Sequence, residues 1–181
     1  MEEDLLYKDA LFYKTNFEGK KFHLKAGRKC VLLEFDILFS SDHFKHMIGL
    51  HKLKDISQLR YSSSKIYRQI LNKELAFTDI SFSIYYYLIE NRIMFFEELK
   101  NILASKELMV KSLHGNFNTI EADYMLSYKN EEYGYVHLFL KQKNEGTVEP
   151  ITFIIHDNND YLKNNPNKWT VLSIEEIVRS E

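Results

Sequence analysis

IEADYMLSYK, residues 120–129, decides the fold. Ile120, Ala122, Tyr124, Leu126 and Tyr128 take alternate positions, and Glu121, Asp123, Met125, Ser127 and Lys129 fill those between. Successive side chains leave a strand on opposite sides, so a repeat of two marks a strand with one face on a core. Asn130 to Gly134 reads as a hairpin loop and Tyr135 to Lys143 as the next strand. There Val136, Leu138 and Leu140 point one way, and Tyr135, His137, Phe139, Lys141 and Lys143 the other. After a turn at Asn144-Glu145-Gly146, Pro150 to His156 is a third strand, with the proline at its start, where a missing N–H is tolerated. Lys168 to Ser173 is a fourth, beyond the polar loop 157–167, and a short helix over 174–180 ends the chain.

Upstream the spacing is helical. Leu5, Leu6, Ala10 and Tyr13 make an apolar stripe over residues 3–14. Two strands follow, 21–25 and 29–38, joined at Ala26 to Arg28. Ser40-Ser41-Asp42 predicts the cap of a short helix ending near Gly49. Ile66, Ile70 and Leu71 predict another helix. Thr78 or Asp79 caps the next, whose buried stripe is Ile80, Ile84, Tyr87 and Leu88, continued by Ile93, Phe96, Leu99, Ile102 and Leu103. The segment His114 to Asn118 reads as a turn. Helices first and an antiparallel meander last predict an α+β domain, a helical part packed on a C-terminal four-stranded antiparallel sheet.

The 181 residues fit a single domain, with 1–29 a helix-and-strand extension ahead of 30–175. A net charge of −2 gives no global field for nucleic acid, but Ser41 to Leu75 carries seven Lys/Arg against three acids, with three histidines. Such a patch is a phosphate footprint or a solvated helix surface. Cys30 lies in the run CVLLEFDILF and reads as a small buried hydrophobe. One cysteine, an acidic start and no membrane-length apolar run predict a cytoplasmic protein with no membrane contact.

Helices cover one face of the meander, so its other face carries the candidate chemistry. Thr152 and His156 share a side, as do His137 and Lys141, and Asp123 could join them. Cutting RNA without a metal needs a base for the 2′-hydroxyl proton, an acid for the leaving oxygen, and donors for the charge growing on phosphorus. Histidine serves the first two roles, and lysine, arginine and threonine the third.

FKHMIGLHKL, residues 44–53, holds Phe44, His46, Met47, Gly49 and Leu50 in an F-x-H-hydrophobic-x-G-L pattern. Arg92-Ile93 follows within ENRIMFFEELKNIL, then Ala122-Asp123-Tyr124, VHLFLK and the proline-led EPITFII. In this order the motifs resemble the phage-associated nuclease domains of the Barnase–EndoU–colicin–RelE group, over residues 30–175. The resemblance implies metal-independent RNA cleavage in a phage or mobile element, as toxin or counter-defence factor. It also implies His46 for acid–base work, with Arg92, Lys141 and Thr152 holding phosphate. Thr152 stands where the pattern leads one to expect serine, and it keeps the hydroxyl. His51, Lys52, His137 and His156 complete the site as substrate-binding candidates.

Two rivals follow from the same residues. Asp42, His43 and His46 could share an ion, but no HExxH or CxxC accompanies them, and neither metal nor cofactor is expected. A non-enzymatic inhibitor of the anti-CRISPR kind would bind a host effector ribonucleoprotein or promote cleavage of its guide RNA. RNA is the expected partner in the first reading and a host defence effector in the second.

Overall fold

Asp4 starts the first helix by accepting the Tyr7 N–H at 2.9 Å, and α1 runs Leu5–Asn16. The other Asp4 oxygen accepts the Phe77 N–H at 2.7 Å, tying the chain start to α4 (Phe77–Ile80). The computed structural model describes residues 4–105, 108–111, 120–157, 160–163 and 167–178. The expected turn over 114–118 lies outside them.

Among the described residues seven strands carry the architecture: β1 (Lys21–Arg28), β2 (Val31–Leu38), β3 (Leu108–Lys111), β4 (Tyr124–Asn130), β5 (Gly134–Asn144), β6 (Thr147–His156) and β7 (Lys168–Glu176). They close on themselves in the order β1-β2-β6-β5-β4-β3-β7. The expected sheet of four antiparallel strands is therefore corrected to a larger, mixed one. The contact between β2 and β6 is parallel and rests on Asp36↔Thr147 and Ile37↔Val148. Two pairs distant in sequence leave no periodic signal. β3 inserts between β4 and β7, and four residues are too short a run for alternation to show.

The β1–β2 turn is Lys29-Cys30, not 26–28: both residues are left-handed, with φ of 46° and 64°. Two positive φ values in a two-residue loop match the right-handed strand twist. Cys30 is thereby exposed, against the expectation of a buried thiol. At the other end, Ile174 and Glu176 pair with Leu24 and Phe22, so β7 takes the start of the expected terminal helix.

The helices are α2 (Phe44–Met47), α3 (Ser63–Leu71), α4, α5 (Glu90–Met94), α6 (Glu98–Ser105) and α7 (Asp160–Lys163). Tyr13, Phe17, Phe39, Phe44, Tyr67 and Phe96 form an aromatic cluster between them and the sheet. Its members are buried, and the Tyr13 hydroxyl still reaches Ser40 O at 2.9 Å. The helix expected from Thr78 stops after α4. Asp55 accepts the Ser83 hydroxyl at 2.6 Å and the Ile84 N–H at 3.0 Å, pulling the chain into a turn. Ile84 and Tyr87, expected to be buried, are 72% and 71% exposed.

The second face of the meander is covered in part. Ala122, Met125, Phe139, Ile154 and Leu162 form a separate buried cluster there, with Leu162 supplied by α7. Among the described residues no helix is long and apolar enough to cross a membrane.

Candidate active site

The FKHMIGL segment forms α2 and breaks at Gly49, whose φ is +90°. A Cβ there would stand 2.6 Å from Ile89 Cγ2 and 3.1 Å from Arg92 Cδ. The glycine therefore does two things: it takes a left-handed backbone, and it lets the end of α2 seat directly on the start of α5. That contact fixes where Arg92 points. Beyond the break, a 3₁₀ turn over Leu50–Lys52 brings His51 back beside His46, with ring centroids 4.7 Å apart.

The sheet presents Thr152 through an irregularity. Phe139 pairs with Thr152 and Leu140 with Pro150, so Ile151 is an extra residue on β6. Such a bulge re-aims side chains and accommodates a proline without a ladder N–H. Arg92 Nη1 donates to Thr152 Oγ1 at 3.0 Å. Both residues are only 8% exposed. Burial pushes the Arg92 pKa down to about 10, with Tyr161 opposing, and no carboxylate among the described residues compensates the charge. A buried, unpaired guanidinium is costly to the fold, which makes it a marker of anion binding.

Around this pair lies a cleft of about 520 Å³, lined on its polar side by His51, Lys52, Asn91, Arg92, Thr152 and His156. Among the described residues no aspartate or glutamate lines it. His51 is held neutral, its pKa pushed down to about 3 by burial and by the neighbouring His46, Lys52 and Arg92. Burial is the larger cause; the smaller share, from the basic neighbours, is a positive field that attracts phosphate. Burial and Lys45 also lower the His46 pKa.

The structure thus brings together five of the eight expected site residues: His51, Lys52, Arg92, Thr152 and His156. His46 is exposed and stands next to His51 without lining the cleft. Lys141 lies outside it, with Nζ 3.5 Å from Glu121. His137 is fully buried, so it cannot touch substrate: Tyr161 packs edge-on at 5.2 Å, and burial drives its pKa down to about 3. Period-two counting put His137 on the right face of β5 but did not show that α7 covers that face. Asp123 is used structurally, accepting the Gln142 N–H at 2.7 Å. Lys45 in the basic segment is likewise spent on the carbonyls of Leu59 and Tyr61, at 2.7 and 3.0 Å.

Tyr87, Asn91 and Tyr161 line the cleft and were not foreseen. Tyr87 was expected in a buried stripe. Tyr161, an aromatic inside the polar run DNNDYLKNNPN, was the signal available for the last.

No curated protein and no solved structure matches this chain. The model of one family does, that of the phage-Barnase-EndoU-ColicinE5/D-RelE like nuclease4, over residues 5–179. The match starts within α1 and takes in the motif around Gly49, Arg92 on α5 and the bulged β6. The chain therefore belongs to this family of phage-associated Barnase–EndoU–colicin–RelE-like nucleases.

Proposed function

We propose that the protein is a metal-independent endoribonuclease whose active site is the cleft around Arg92 and Thr152. One observation carries the reading: a buried guanidinium, bonded to a threonine hydroxyl and with no carboxylate beside it among the described residues, lines a cleft whose other polar groups are imidazoles, an ammonium, an amide and two tyrosine hydroxyls. These groups match a phosphodiester in flight. Arg92, Thr152 and Lys52 hold the nonbridging oxygens and meet the charge that grows on them. His51, held neutral by burial and its cationic neighbours, accepts the 2′-hydroxyl proton as that oxygen attacks phosphorus. An arriving phosphate raises the His51 pKa, so the base strengthens where it is needed. His156 supplies the second proton-transfer group, for the departing 5′-oxygen. His46, against the His51 ring, positions it. The products are a 2′,3′-cyclic phosphate and a 5′-hydroxyl.

The setting proposed is conflict between a phage or mobile element and its host, with the protein as toxin or counter-defence factor. The phage association of the family supports it. The test uses one oligonucleotide sequence as RNA and as DNA, each with the protein in EDTA. RNA cut to cyclic-phosphate ends with DNA left whole is the expected result. Cutting of both, or cutting that EDTA abolishes, overturns the mechanism. RNA bound but never cut favours a non-enzymatic inhibitor that acts on a host ribonucleoprotein.

A further inference from the structure

The cleft has a second side that phosphate chemistry does not use. Beside the cations, Tyr87, Leu88, Ile120, Ile154 and Tyr161 give it an apolar wall with two aromatic rings. Tyr87 comes from the 3₁₀ turn Tyr86–Leu88 ahead of α5, and Tyr161 from α7. Tyr87 is 71% exposed, while its neighbours Tyr85 and Tyr86 pack on the main core. The ring is therefore displayed by a segment whose other side is anchored. The Asp55 bonds to Ser83 and Ile84 hold that segment, and the Ser83 hydroxyl also accepts the Tyr85 N–H at 3.1 Å. An exposed ring on a fixed backbone loses little freedom when something stacks on it.

We propose that this wall is a nucleobase subsite, so that the cleft takes an unpaired nucleotide with its base against Tyr87 and Tyr161 and its phosphate at Arg92. The proposal rests on the nucleic-acid reading above and refines it. Every base offers a flat face, and aromatic side chains are how proteins grip single strands. A paired base inside an A-form helix cannot reach such a wall, because both of its faces are covered by the stack. About 520 Å³ is room for one nucleotide. Asn91, exposed at the same wall, brings an amide that can bond a base edge. The substrate form is thus a single-stranded segment, loop or bulge.

Binding of a labelled, uncleavable 2′-O-methyl RNA strand and of the same strand in a duplex tests this by anisotropy, with the full chain at one fixed salt concentration. The single strand is expected to bind at least about tenfold tighter than the duplex. Tyr87→Ala is expected to weaken single-strand binding about tenfold or more and to leave the duplex unchanged, while Tyr87→Trp restores it. If both forms bind alike and Tyr87→Ala changes neither, while Arg92→Met weakens both, the base subsite is wrong and the nuclease reading stands. If wild type binds neither form, both fall. If Tyr87→Ala spares RNA binding but abolishes a protein contact, the exposed ring is a protein-docking feature and the subsite is overturned.

Discussion

Gly49→Ala perturbs the joint on which the site is built. Two costs can be worked from the structure. The first is backbone: at φ +90° an alanine pays the left-handed penalty, roughly 1–2 kcal/mol. The second is space: the new methyl would lie 2.6 Å from Ile89 Cγ2, and Ile89 is 1% exposed with no room to retreat. Overpacking of that kind costs about 1–3 kcal/mol. Together the loss is about 2–5 kcal/mol, or a fall of roughly 4–20 °C in Tm for a chain of this length. Urea unfolding measures it directly. A double-mutant cycle with Ile89→Ala separates the parts: removing the blocking methyls should recover the steric share and leave the backbone share. Because the same methyl would stand 3.1 Å from Arg92 Cδ, the folded variant should also bind RNA several-fold more weakly. A Gly49→Ala protein within about 0.5 kcal/mol of wild type, with unchanged RNA affinity, would refute the claim that this glycine seats α2 on α5.

Three other perturbations probe separate parts of the molecule. Arg92→Met keeps the volume and removes a buried charge that no carboxylate among the described residues compensates, so urea unfolding should show equal or higher stability; a loss above about 2 kcal/mol would make Arg92 a structural residue instead. Asp9 is 4% exposed, and burial pushes its pKa up to about 8. A raised folded pKa gives stability that is full below the ordinary carboxylate pKa and lost as pH rises towards 8. Asp9→Asn should therefore be about 1–4 kcal/mol more stable at pH 7 and should flatten the decline in stability between pH 4 and 8; an unchanged slope contradicts the assignment. Replacing the left-handed Lys29-Cys30 pair by Asn-Gly should stabilise the hairpin by about 1–2 kcal/mol in the same assay, and an unaltered midpoint would show that the turn stores no strain.

Local chemistry was legible in the sequence, and long-range closure was not. The alternation over 120–129 identified β4, and the proline in EPITFII marked β6, because strand period and missing donors are local properties. His51, Lys52, Arg92, Thr152 and His156 were all named from residue type and motif order, and one cleft holds them. The sequence could not show that α7 would cover the far face of β5, which buries His137 under Tyr161. Nor could it show that Asp55 would end the helix after Ile80 and expose Tyr87, since one carboxylate reaching 28 residues along the chain leaves no pattern. Gly49 was read as a helix stop, which it is. Its closeness to Ile89 and Arg92 needs the tertiary structure.

The most direct test is the single-turnover rate of RNA cutting in EDTA by wild type and by Arg92→Met, each confirmed to be folded. The wild-type rate should fall at least about a hundredfold in the variant, the scale of losing one charge-stabilising donor. Equal rates in the two proteins would contradict it.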